Sequence, residues 1–161
     1  MIDALYAEAL LLADEARAWF DRARGSEEAR RRLSPLASNI TDDPLYRWSG
    51  RTDPSLRVAL SCESLRLTTR LMHVIAWLML QRAVADGDAP ADVSHLEHNR
   101  LGRSPDSDAD VIARLPDEAR RLIAASLRLH ERVAHLEQGL LARPINDNPV
   151  HAMHRRLTGL I

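Results

Sequence analysis

The residues that could do chemistry in this sequence are seven histidines, one cysteine and a run of charged and aromatic side chains at helical spacing. His95 and His98, and again His151 and His154, stand one turn apart, where two imidazoles can share a zinc ion. Neither pair has a nearby cysteine or a clear third ligand, so no metal is expected. Cys62 and His73 have the character of a nucleophile and its base, but eleven helical residues separate them by about 16 Å. They cannot share a proton, and Cys62 is expected to be a buried, inert thiol. A carboxylate-bridged di-iron site needs Glu-x-x-His pairs, whereas Glu131 and His135 are four apart. No glycine-rich phosphate loop is present, and every basic residue other than histidine is arginine. That excludes a lysine Schiff base or a P-loop lysine. No catalytic residue and no cofactor are therefore expected.

The remaining chemistry is recognition. Glu63, Arg66, Arg70, His73 and Trp77 recur on one helical line and mix both charges with a large aromatic. Two readings stand for this line: a solvated ladder of ion pairs, or a partner-binding surface. Tryptophan and arginine are enriched where partners dock, which gives the second reading its weight.

The helix that carries this line is apolar around most of its circumference. Leu60, Ser64, Leu67, Leu71, Val74, Leu78 and Gln81 follow a 4-3 repeat, and Leu65, Thr68, Met72, Ile75 and Met79 form a second such line. One bundle seam needs only one line. The second, with Leu65, Met72, Ile75 and Met79 as its apolar members, is expected to be a homodimer interface.

Two further long helices flank it. Ile2, Leu5, Ala9, Leu12, Ala16, Trp19 and Ala23 mark the first, and Leu115, Ala119, Leu122, Ser126, Leu129, Val133, Leu136 and Leu140 the last. Asp53-Pro54 opens the central helix with an N-cap and a proline at its first position, and Gly87 stops it. Ser26 either caps a short extra segment or lies within an extended first helix. The segment 39–54 is rich in turn residues, with Leu45, Tyr46 and Trp48 as apolar anchors, and 93–101 suits a short helix. The expected fold is an all-α, up-down-up antiparallel three-helix bundle over 1–143, with helices at 2–25, 54–86 and 116–142 and a C-terminal tail at 144–161.

Composition narrows the class. A chain of 161 residues can bury a core without disulfides or metal. A net charge of −1 lacks the excess of a dedicated nucleic-acid binder. The longest apolar run, 74–80, is seven residues against the roughly 20 that span a bilayer. One cysteine and a start that already reads as a helix suit a reducing cytoplasm. Neither membrane nor nucleic acid is an expected partner. Two rival readings are a cryptic metal-dependent enzyme using the histidine clusters, and an arginine-based nucleic-acid-binding dimer.

The central stretch Glu63-Ser-Leu-Arg-Leu-Thr-Thr-Arg-Leu-Met72, followed by Ala76-Trp77-Leu78 and Gln81-Arg82-Ala83, resembles the DUF1465 family, the regulators of CtrA degradation of alphaproteobacteria. Arg128-Leu-His-Glu-Arg-Val-Ala-His-Leu-Glu137 resembles that family's other recurrent stretch. His73 stands where the family tends to have glutamine, and His130 where it tends to have tyrosine. The resemblance implies an all-helical, dimeric, cytoplasmic adaptor. Such an adaptor delivers cell-cycle regulators as cargo to the ClpXP protease, alongside response-regulator-like co-adaptors.

Overall fold

The computed structural model of the chain describes residues 1–33 and 53–142. They form three long helices, α1 (Ile2–Leu33), α2 (Pro54–Asp86) and α4 (Asp117–Leu141), with a short α3 (Ala109–Ala113) and 3-10 turns at Ala91–His95 and Glu97–Asn99. No strand occurs among the described residues, and the all-α bundle expected from the periodicity is the fold observed. α1 runs through Gly25 and Ser26 to Leu33, so the residues after Gly25 extend the first helix. Leu45, Tyr46, Trp48, His151, His154 and the tail 144–161 lie outside the described residues.

The ends of α2 follow from their sequence. Asp53 accepts hydrogen bonds from the Ser55 amide at 3.1 Å and the Ser55 hydroxyl at 2.6 Å, and Pro54 fills a position that needs no N–H. At the other end Gly87 adopts φ 83°, a left-handed conformation that glycine reaches without a Cβ clash. The hydrogen bonds from Ser55 hold the Asp53 carboxyl below the usual carboxylate range, with a smaller opposing effect of desolvation. A depressed folded pKa contributes stability above the unfolded value, and that contribution is lost as pH falls through the folded one. Asp53→Asn should keep the cap yet flatten the acid limb of thermal melts recorded between pH 7 and pH 2 to 3. An acid limb identical to wild type would show that the cap has no part in it.

The core is the first apolar line of α2 packed on its counterparts. Leu67, Leu71, Val74 and Leu78 are buried against Leu5, Ala9, Ala16 and Trp19 of α1 and Ala119, Leu122, Leu129 and Val133 of α4. The direction of α4 corrects the expected up-down-up order. Arg82 near the end of α2 pairs with Asp3 near the start of α1, so these two helices are antiparallel. Arg132 pairs with Glu8 at 2.7 Å and Arg121 with Glu15, so α4 also runs against α1. α2 and α4 are consequently parallel. Parallel neighbours need a crossover, and residues 87–116 supply it by returning along the bundle. Periodicity identifies a helix's buried face and is silent about its direction.

Candidate functional site

The polar line of α2 faces that returning crossover. Glu63, Arg70 and Trp77 are 1%, 0% and 3% exposed, whereas Arg66 and His73 are half-buried. A helix line that looks like an open surface in sequence is thus closed at three of its five positions: an extended segment of the same chain holds Glu63 and Arg70, and Trp77 is packed in the core. Trp77 belongs to the core cluster, although its spacing places it outside both apolar lines.

The segment 100–107 runs antiparallel to α2 and α4, and side chains from both helices hold it. The Leu101 amide donates to Glu137 at 2.6 Å. His130 Nε2 lies 2.9 Å from the Gly102 carbonyl. Arg70 donates through Nε to Ser104 Oγ at 2.7 Å and through Nη2 to the Pro105 carbonyl at 3.2 Å. Its Nη1 donates to Ser126 Oγ of α4 at 2.7 Å, and Ser126 in turn donates to the Ile123 carbonyl at 2.8 Å. Glu63 binds Arg66 one turn on and accepts from Ser107 Oγ at 2.7 Å.

Arg70 is the unusual member. Its hydrogen-bond partners are two hydroxyls and a carbonyl, all neutral, and burial pulls its pKa below the ordinary arginine value while the field of Glu63 opposes that shift. Guanidinium nonetheless stays charged at any physiological pH. The His73 and Trp77 ring nitrogens Nδ1 and Nε1 are buried without a hydrogen-bond partner among the described residues. Gly102 sits so close to His73 that a Cβ there would fall 2.4 Å from Nδ1.

On another face of α2 lies the second apolar line. Leu65, Met72 and Met79 are 68%, 64% and 54% exposed. Ile75 is half-buried and lines a groove between α1 and α2 with Phe20 and Leu71, which puts it at the edge of this face. Val58, at 63% exposure, extends the series one heptad earlier. Cys62, Thr69 and Ala76 are also exposed and fall between these residues, completing an uncovered 4-3 seam from Val58 to Met79. The buried thiol expected at Cys62 is therefore corrected: its position four after Val58 and three before Leu65 puts it on the seam.

Composition and periodicity missed the crossover's part in the site: Gly102, Ser104 and Ser107, with Ser126, His130 and Glu137 of α4. One signal was available. Ser126 occupies a core position of the α4 repeat, and a polar group there requires a buried partner, which is Arg70. His95 is half-buried and His98 exposed, and no group of three or more metal-ligating side chains exists among the described residues.

The model of DUF1465, a family described as of unknown function, matches residues 36–160. The chain belongs to the DUF1465 family. This DUF1465 chain is similar in structure to RcdA from Caulobacter crescentus CB15, with a TM-score of 0.61 and 26% identity over 89% of this chain and 93% of that one. No curated protein matches it. No helix among the described residues is long and apolar enough to cross a membrane.

Proposed function

We propose that this DUF1465 protein is a non-enzymatic, cytoplasmic adaptor in regulated proteolysis, acting as a homodimer that brings protein cargo and response-regulator-like co-adaptors to ClpXP. The likeness to RcdA along nearly the whole of both chains supports this reading. The observation that carries the homodimer is the uncovered seam on α2. A 4-3 series of apolar and small side chains over three heptads is self-complementary, and a second copy of the same helix satisfies it with knobs-into-holes packing. Within the polar line, Arg66 and His73 are the members a partner can reach directly. Glu63, Arg70 and Trp77 contribute to partner binding by shaping the surface from beneath.

Wild-type protein should be dimeric by light scattering at micromolar concentration. Met72→Glu sets a carboxylate in the middle of the apolar contact, which should weaken pairing by about 100-fold, a few kcal/mol of uncompensated charge. Because Met72 is exposed within one chain, the monomer should keep its helical circular dichroism. A wild-type monomer, or a mutant that stays dimeric, removes the seam from the proposal.

The adaptor role is tested by capture from native cytoplasm on catalytically trapped ClpXP, followed by reconstituted degradation of the captured proteins. Cargo whose degradation is unchanged by adding the purified protein would overturn it. A cryptic metalloenzyme would instead reveal itself by bound metal in purified protein, and a nucleic-acid binder by a salt-dependent shift of DNA.

A further inference from the structure

The crossover segment has a construction of its own. No backbone-to-backbone hydrogen bond links residues 101–107 to anything among the described residues. The two ends are self-contained: Arg100 closes the preceding 3-10 turn on Glu97, and Asp108 caps α3 with its side chain. Leu101 is the apolar residue of the segment that packs on the core. Among the described residues, side chains of α2 and α4 hold the rest of it, and Gly102 lies so near the His73 ring that an added Cβ would not fit.

We propose that residues 100–107 form a strap that opens as one piece from the bundle, with Gly102 seated on His73 as its latch, and that opening uncovers Arg70. The bonds lost are those of Leu101, Gly102, Ser104, Pro105 and Ser107 to Glu137, His130, Arg70 and Glu63. Water replaces each of them, so opening costs only the net part of each bond and not its gross strength. Opening also rehydrates a guanidinium that the closed state holds dry on neutral acceptors, which recovers part of its desolvation penalty. The helices keep their apolar contacts meanwhile, since the buried residues of α1, α2 and α4 pack on one another. Sub-global opening of this kind separates regions of few apolar contacts from the core. The open state presents Arg70, whose guanidinium is suited to anchoring a partner's acidic side chain.

This inference does not depend on the adaptor reading, and its test uses the purified chain alone. Native-state amide exchange in a series of sub-denaturing urea concentrations, read by NMR on the Leu101 amide, the strap N–H that donates to Glu137, should show the strap exchanging at a rate nearly independent of urea. Amides of α2 and α4 should accelerate with urea. Gly102→Ala forces the latch, a small overpacking that should speed strap exchange about tenfold or more and leave the α4 amides unchanged. Adding His73→Ala to it removes the ring that the new Cβ meets and should restore strap exchange to that of His73→Ala alone. A Leu101 amide that follows the urea dependence of the helices would overturn the proposal even if the variants fail to fold. So would a Gly102→Ala effect that the second substitution does not relieve.

Discussion

Trp77→Ala is expected to lower stability by about 3–5 kcal/mol. At this chain length that loss corresponds to a fall of roughly 10 °C in Tm. The indole is 3% exposed and belongs to the core cluster, so truncation deletes its buried contacts and leaves a cavity that the bundle can only partly close. Trp77→Phe separates packing from polarity. The indole N–H has no hydrogen-bond partner among the described residues, so its removal forfeits no bond, and the cost should be about 1–2 kcal/mol, set by the lost ring volume. Denaturant melts of the two variants measure this. A Trp77→Ala protein that melts like wild type would mean the ring is not core, and a Trp77→Phe loss as large as that of alanine would mean the N–H is bonded.

Arg70→Ala should cost about 1–3 kcal/mol, the range for leaving buried neutral polar groups without their partner, with the packing of the lost aliphatic stem added to it. Three groups depend on this side chain: Ser104 Oγ, the Pro105 carbonyl and Ser126 Oγ. Arg70→Met should be milder, because it fills most of the volume and no charge remains to be desolvated. An exposed control defines the scale: Arg17 lies 3.8 Å from Asp21 with 80% of its side chain accessible, so Arg17→Ala should change stability by less than about 0.5 kcal/mol. Equal denaturant midpoints for Arg70→Ala and Arg17→Ala would show that the network contributes nothing. Both large effects bear on the adaptor role, since degradation assays with these variants must be run well below their lowered melting temperatures to report on partner binding.

Local chemistry made several features legible. The Asp53-Pro54 start and Gly87 stop of α2 are decided within one turn by capping and backbone sterics, so they could be read from neighbours in sequence. The core faces of α1, α2 and α4 follow from their 4-3 periods for the same reason. The excess of apolar surface on α2 was also visible, and Leu65, Met72 and Met79 are indeed left exposed by the single chain. Cys62 is exposed where a buried thiol is expected, because a small residue fits a core or a seam equally well.

Legible in the residues alone are an all-helical chain, the ends of its central helix, the core faces of its long helices apart from Trp77, and the surplus apolar line on α2. Those follow from the 3.6-residue period and from capping, which act over one or two turns. The direction of α4 along α2, the return of 100–107 between them and the burial of Glu63 and Arg70 beneath that segment come from long-range packing. Helix direction depends on the path of a polar, aperiodic connection, and a buried arginine is chosen by acceptors that lie 34 and 56 residues away in the chain at Ser104 and Ser126, contacts on which no local pattern carries information.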